Sequence, residues 1–341
     1  ARERKPVSVD PAEFGTYVHA VLEETAKEIM TLGGFRKVTM EQALEIADRH
    51  SSNYARECFS QIDTQRLTYL FRRNAHELSL IVQELWKEMQ TCEFEPVGFE
   101  VGFGDGKEVP AIDVSGKEMA AQLRGFVDRV DAWRDGQNCY FRVVDYKTGK
   151  KDFDYCDIYN GYGLQMLLYL FALERGGKNV FGSNAIGAGV QYFPARVPLV
   201  SADGILSEEE AELAREKLWK RKGLLLSWEN VLEAMENTER LKRLPVSRKK
   251  DGSLSGDLAD RQQFALLQTY VFSVVGAMVD DIASGCVTPN PYCRGSSHDA
   301  CAYCPYDAVC HKQDVEGRRN FKAISAERFW SDIEKEMSGN G

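Results

Sequence analysis

The chain lacks any apolar run long enough to cross a membrane, which takes about 20 residues. Its best candidate, residues 271–279, is stopped by Asp280 and Asp281. There is also no signal-peptide core behind Arg2 and Lys5, so we expect neither a membrane span nor a membrane partner. Since the sequence begins at Ala1 rather than Met, we expect it to be part of a longer protein.

Positive charge is in deficit, with 43 Lys and Arg against 52 Asp and Glu and a net charge of -9. DNA binding would therefore need a local basic groove, because the field of the whole protein repels phosphate. Nine cysteines are an odd number scattered over 341 residues, which argues against a disulfide framework and for a reducing compartment, the cytoplasm. The 43% hydrophobic content excludes a disordered chain.

Periodicity predicts an α/β fold with a mixed central sheet flanked by helices. We expect helices over 11–30, 39–50, 64–90 and 159–174, and strands over 97–103, 111–114, 119–133, 139–146 and 185–193. We expect a single domain over 1–341 with four parts: a helical N-terminal part (1–95), a catalytic core (96–200), a helical insertion with a basic loop (201–265), and a return helix with a cysteine-rich tail (266–341).

A hairpin turn at Asp135-Gly136 predicts a register that sets Asp128 opposite Asp145 and Asp131 opposite Arg142. Two facing carboxylates cost stability unless a cation lies between them. Oxygen ligands favour Mg²⁺ or Mn²⁺, and Lys147 lies on the same face as Asp145, a set suited to phosphodiester hydrolysis. The alternative is a solvated hairpin whose charges merely face water.

These residues are accompanied by two further motifs, G-x-x-x-H at Gly15 to His19 and Q-x-x-x-Y at Gln165 to Tyr169. Together with the D-Y-K at 145–147, they resemble the RecB-type branch of the PD-(D/E)XK nucleases. That resemblance implies a restriction-endonuclease-like core, with metal ligands and catalytic residues at matching positions. The implied metal ligands are His19, Asp128, Asp145 and the carbonyl of Tyr146; the implied catalytic residues are Asp128, Asp145, Lys147, Gln165 and Tyr169, the last two contacting substrate or bracing the site.

Three cysteines near the C-terminus, Cys301, Cys304 and Cys310, form a C-x2-C-x5-C pattern typical of metal ligands. Spacing alone does not choose between zinc and an iron-sulfur cluster. A zinc site would need a fourth ligand, for which Cys293, His298 and His311 are available. Unliganded cysteines in a flexible tail are the remaining alternative.

The cysteine pattern and the N-terminal residues 2–19 resemble those of the nuclease domains in the B subunits of AddAB-type helicase-nucleases. This resemblance implies a structural 4Fe-4S cluster held by Cys301, Cys304, Cys310 and a fourth cysteine that falls upstream of Ala1, so the cluster could be missing here. It also implies a helicase-nuclease of the AddA type as partner. The implied substrate is single-stranded DNA, on the 5′-ended strand, in double-strand-break repair.

A basic run from Arg240 to Lys250 contains no acidic residue, and Arg248, Lys249 and Lys250 are its densest part. This run could follow a phosphate backbone or could simply be a solvated loop. Two other functions stay open: a stand-alone RecB-type exonuclease with a cluster, and a catalytically silent DNA-binding scaffold.

Overall fold

The structure is a computed structural model that describes residues 11–59, 65–177, 181–182, 184–202, 204–295, 298–302, 304–310 and 319–339. The N-terminal residues 2–5 and His311 lie outside this part of the chain. By its contacts, the chain divides into two compact units, which we describe separately. The first is Ala1–Ala111, Arg124–Phe153 and Tyr169–Arg261; the second is Ile112–Leu123, Asp154–Leu168 and Gln262–Gly341. The expectation of one domain over 1–341 stays a prediction.

Helices dominate the first 91 residues, as the amphipathic periodicity predicts, and strands follow. The described elements are, in order, α1 (Pro11–Thr31), α2 (Met40–Phe59), α3 (Gln65–Thr91), β1 (Glu95–Phe103), β2 (Ile112–Ser115), β3 (Ala120–Leu123), β4 (Gly125–Asp135), β5 (Asn138–Lys147), α4 (Tyr155–Tyr159), α5 (Gln165–Gly176), β6 (Ala185–Pro194), α6 (Glu208–Leu218), β7 (Lys222–Leu226), α7 (Glu229–Met235), β8 (Val246–Arg248), β9 (Leu254–Gly256), β10 (Leu258–Ala259), α8 (Arg261–Ala283), β11 (Tyr292–Cys293), α9 (Asp307–Cys310), β12 (Arg319–Asn320) and α10 (Ala326–Gly339).

A mixed sheet of six strands forms the centre of the first unit, in the order β1-β4-β5-β6-β7-β10. The β1, β4 and β5 strands pair antiparallel, whereas β5 and β6 are parallel and joined through helices. This arrangement confirms the predicted α/β class with a mixed central sheet. The β4–β5 hairpin is central, so its residues are held by ladders on both sides.

The two faces of β5 are covered differently. One face carries Val144 and Tyr146, which belong to the hydrophobic cluster formed with α1, α2 and α3. The other face carries Phe141, whose ring stacks on Phe181 at a centroid distance of 4.7 Å. Because side chains alternate along a strand, Asp145 and Lys147 share the face of Phe141.

In the second unit, α4, α8 and α10 meet around Phe329, whose ring contacts those of Tyr155 and Tyr270. Among the described helices, α8 has the length and apolar composition of a possible membrane span. Its buried residues recur at helical spacing on one stripe, which is typical of a helix packed in a protein core. They are Phe264, Leu267, Tyr270, Val271, Val275, Gly276 and Val279.

Several elements differ in extent from the predictions. The helix expected over 159–174 begins at Gln165, because Gly161 and Gly163 have φ values of 78° and 69° that interrupt a helix. The strand expected over 119–133 is two strands, β3 and β4. The segment 201–265 contains the expected helices α6 and α7, and it also adds β7 and β10 to the central sheet.

Candidate active site

The β4–β5 hairpin has the register that its turn predicts. Asp135 pairs with Asn138, Asp131 with Arg142 and Arg129 with Val144, and the next positions along both strands are Asp128 and Asp145. The amide of Tyr146 donates a hydrogen bond of 2.8 Å to Asp128 Oδ2. The two aspartates therefore meet at one end of the hairpin, as predicted.

His19 reaches this end of the hairpin from α1. Its Nε2 lies 2.7 Å from the carbonyl oxygen of Tyr146, and its Nδ1 lies 3.3 Å from Asp128 Oδ2. A ring that donates from Nε2 to the carbonyl presents Nδ1 to the carboxylate, an arrangement that a proton or a bound cation satisfies. The approach of α1 is close, since a Cβ at Gly15 would lie 3.4 Å from Thr148 Oγ1.

Asp145 and Lys147 form an ion pair on the same face of β5, with Lys147 Nζ 2.6 Å from Asp145 Oδ2. Asp145 is only 6% exposed. Burial, followed by the charge of Asp128, raises the pKa of Asp145, while Lys147 partly offsets the increase. The site thus disfavours two charged aspartates in the absence of a further cation.

Glu100 is a candidate ligand that the sequence did not reveal. It lies in β1 between the pairs Phe99–Arg129 and Val101–Val127, so it faces Asp128 across the ladder. Its φ of 47° is left-handed, which is uncommon for a residue other than glycine. Burial, with the nearby charges of Asp128 and Glu23, raises the pKa of Glu100.

The donor atoms fit a divalent cation such as Mg²⁺ or Mn²⁺. Ligand atoms of His19, Glu100 and Asp128 all lie within 4.8 Å of one another. Carboxylate and carbonyl oxygens with one imidazole are a hard to borderline donor set, and thiols are absent from this group. A cation here would also relieve the repulsion that raises the pKa values of Asp145 and Glu100.

Behind the site, the opposite face of the hairpin holds a buried ionic layer. Arg129 and Asp131 pair at 2.8 Å, and Arg142 donates to Asp131 and to Glu88 of α3, each at 2.9 Å. Arg129 also donates from Nη1 to the hydroxyl of Tyr146 at 2.9 Å. The side chain of Tyr146 is therefore held by Arg129, while its backbone contacts Asp128 and His19 at the end of the strand.

Tyr169 packs against the start of β4. Its ring stacks on Phe103 with centroids 5.4 Å apart, and a Cβ at Gly125 would lie 2.6 Å from its hydroxyl oxygen. Gly125 begins β4, three residues before Asp128. The role of Tyr169, in bracing the site or in contacting substrate, stays a prediction. Gln165 has an exposed side chain and lies in the second unit, so its role stays a prediction.

In the second unit, Cys304 N donates to Cys301 O at 3.2 Å, a tight turn that holds the two cysteine backbones together. Cys310 is exposed at the end of the short helix α9. Among the described residues, these thiols are not gathered as three ligands within 4.8 Å. Metal binding by these cysteines, with either zinc or iron, stays a prediction.

A second acidic group in that unit, Asp154, Asp157 and His298, is compensated by a protein cation. Arg294 donates to Asp154 at 2.7 Å and lies 3.2 Å from Asp157. The hydroxyl of Tyr292 also donates to Asp157. This group is thus an ion-pair cluster in which Arg294 offsets part of the negative charge of the two aspartates.

The basic loop lies on the β8–β9 hairpin, where Arg248, Lys249 and Lys250 are exposed. Arg248 pairs with Glu229 at 2.7 Å. A carboxylate therefore already offsets part of the charge of this loop, and its DNA-binding role stays a prediction.

Comparison with known proteins agrees with this geometry. Residues 1–311 match the PD-(D/E)XK nuclease superfamily. The chain is also similar to the B subunits of ATP-dependent helicase/deoxyribonucleases, with 30% identity over 99% of its length to that of Oceanobacillus iheyensis and 31% over 98% to that of Clostridium novyi. It spans about 30% of the length of each of these relatives.

The mixed sheet, which gathers His19, Asp128, Asp145 and Lys147 at the end of its central hairpin, is consistent with the PD-(D/E)XK nuclease fold. The chain belongs to the PD-(D/E)XK nuclease superfamily and is an enzyme of that class. Within the superfamily, it is similar to proteins whose names combine helicase and deoxyribonuclease.

Proposed function

We propose that this chain is a metal-dependent exonuclease domain that hydrolyses single-stranded DNA. The observation that carries the proposal is the convergence of His19, Glu100 and Asp128 within 4.8 Å, beside the ion pair of Asp145 and Lys147. By family resemblance, the cleaved strand is the 5′-ended one, and cleavage is coupled to a helicase in double-strand-break repair. The word "subunit" in the names of its relatives supports a partner chain. The AddA type of that partner comes from the family resemblance, and the cytoplasmic location without a membrane partner comes from the cysteine usage and the apolar pattern of the sequence.

The proposed role of each residue follows from its position in the site. His19, Glu100 and Asp128 would hold Mg²⁺ or Mn²⁺, with Asp145 and the carbonyl of Tyr146 adjacent. Such an ion supplies Lewis-acid activation of water and neutralises charge on the phosphate. Lys147, held by Asp145 at 2.6 Å, orients the attacking water or stabilises negative charge on the scissile phosphate.

The test is degradation of end-labelled single-stranded DNA with Mn²⁺, Mg²⁺ or EDTA. We expect cleavage with either metal, none with EDTA, and a loss of at least about 100-fold in Lys147→Ala. Lys37→Ala removes an exposed lysine that is not one of these site residues and serves as the matched control. The position of the label reports strand polarity. Folded protein that cleaves nothing with any metal would refute the proposal and favour a silent DNA-binding scaffold.

We also propose that Cys301, Cys304 and Cys310 hold a structural 4Fe-4S cluster, with a fourth cysteine from outside this sequence. The C-x2-C turn and the accessibility of these thiols support ligation. Iron and zinc analysis of a longer chain that carries this fourth cysteine, purified without oxygen, distinguishes the two metals. Iron with visible absorbance, lost in Cys304→Ser, is expected; stoichiometric zinc would contradict the cluster.

A further inference from the structure

A cationic groove begins at Lys147 and continues along the ends of β5 and β6. Its volume is about 720 Å³. Seven lysine and arginine side chains line it against a single carboxylate, Asp152, although the whole chain carries a net charge of -9. Besides Lys147, the lining cations are Lys150, Lys151, Arg196, Lys217, Lys220 and Lys222. The local charge is thus opposite in sign to that of the protein.

Three carboxylates offset part of this charge. Asp152 lies 3.0 Å from Lys222 and 4.0 Å from Lys150, Asp145 lies 2.6 Å from Lys147, and Glu77 lies 3.7 Å from Arg196. The cations are also accessible, since the side chain of Lys150 is 90% exposed and that of Arg196 is 60% exposed. Clustered, hydrated cations that outnumber their carboxylate partners attract a polyanion through release of its counterions.

The groove also has an apolar ledge. Val197, Pro198, Leu199 and Leu218 line it, and the side chain of Leu199 is 91% exposed. A single DNA strand offers phosphates along one edge and unpaired base faces along the other, so it can use the cations and the ledge together. A duplex hides its base faces, which leaves the ledge without a partner.

We propose that this groove binds the phosphate backbone of single-stranded DNA and delivers it to Lys147. The proposal deepens the proposed function, because it rests on Lys147 being the catalytic end of the groove. Binding itself needs no cleavage, so the two can be tested separately.

The experiment compares two triple variants that remove the same charge. The groove variant is Lys150→Gln, Arg196→Gln and Lys217→Gln; the control is Lys37→Gln, Arg328→Gln and Lys335→Gln, exposed cations that do not line the groove. Binding of a fluorescent oligothymidine is measured by anisotropy in EDTA at several salt concentrations. Circular dichroism and thermal melting verify that each variant is folded.

We expect about tenfold weaker binding for the groove variant, with the slope of log K against log salt reduced in magnitude by about 2, since each phosphate contact to a single strand contributes about 0.7. The control should keep the wild-type slope. An equal loss in both variants, or an equal loss of duplex binding, would overturn the proposal. So would a loss confined to Arg248→Gln, Lys249→Gln and Lys250→Gln, which would place the strand on the basic loop instead.

Cleavage assays on the same proteins separate the two proposals. Wild-type protein that binds through the groove and cleaves nothing with any metal would refute the nuclease function alone. A groove variant that binds and cleaves like wild type would refute DNA binding by the groove and leave the nuclease function unaffected.

Discussion

Replacing Glu88 with glutamine should destabilise the protein strongly although no site residue is touched. Glu88 is 4% exposed and accepts hydrogen bonds from Arg142 at 2.9 Å and from Arg221 at 2.6 Å. Burial alone would raise the pKa of Glu88, but the guanidinium groups of Arg221 and Arg142 outweigh it and hold the pKa well below its usual value of 4.5. The carboxylate is therefore charged whenever the protein is folded at ordinary pH.

Glutamine keeps the shape and removes the charge, which leaves two buried guanidinium groups without this anion. Breaking a buried ion pair in this way costs about 3–5 kcal/mol. A typical domain has only about 5–15 kcal/mol of stability, so much of it would be lost. The cost should shrink in acid. A carboxyl group whose pKa is lower in the folded state than in the unfolded state stabilises the fold fully at pH values above its unfolded-state pKa. This stabilisation is lost as the pH falls toward the folded-state pKa.

Urea unfolding followed by circular dichroism at pH 7 and pH 4 measures this effect. Glu45→Gln, at an exposed position on α2, is the matched control and should change the free energy of unfolding by less than about 0.5 kcal/mol. A cost below about 1 kcal/mol for Glu88→Gln at pH 7, or a cost that grows in acid, would refute the reasoning.

Three other substitutions test the site itself. Asp145→Asn should raise the melting temperature of metal-free protein while abolishing cleavage. Burial and Asp128 raise the pKa of Asp145, so its charged form destabilises the fold at pH values above that pKa, and asparagine removes this charge. A lower melting temperature of the variant in EDTA would contradict this. Tyr146→Phe should cost about 1–3 kcal/mol by depriving Arg129 of a buried acceptor, yet keep cleavage at saturating metal because the backbone carbonyl remains; inactive protein of unchanged stability would argue otherwise. Gly125→Ala should lower the free energy of unfolding by about 1–3 kcal/mol, because the new methyl group would clash with the Tyr169 hydroxyl. Adding Tyr169→Phe should recover part of that loss. Additive losses in the double variant would exclude the clash.

The hairpin register was predictable because it depends on local information. A two-residue loop after Asp135 fixes every pair along β4 and β5, and alternation then assigns each side chain to a face. The same rule separated Asp131, which pairs with Arg142, from Asp128 at the site. Short-range turn chemistry was sufficient for both conclusions.

Glu100 was not predictable for the opposite reason. The chain forms the β2–β3 hairpin between β1 and β4, so no short turn sets how these two strands pair. In addition, a register shift between Pro96 and Gly98 moves the pairing by one residue. No turn signal encodes that offset. The strand β7 was missed on other grounds, since a run as short as Leu224 to Leu226 suits a buried strand or a helix equally well.

The two faces of the β4–β5 hairpin have opposite effects on the separation of its strands. On the front, Asp128 and Asp145 repel, and burial raises the pKa of Asp145, so this face favours protonation or separation of the strands. On the back, Arg129, Asp131, Arg142 and Glu88 hold the same two strands to α3 through charge-assisted hydrogen bonds. Tyr146 links the ionic layer to the site, because its hydroxyl accepts a hydrogen bond from Arg129 while its amide contacts Asp128 and its carbonyl contacts His19. The buried ions thus keep the two aspartates close together before a cation binds, which is the preorganisation that a metal-dependent nuclease requires.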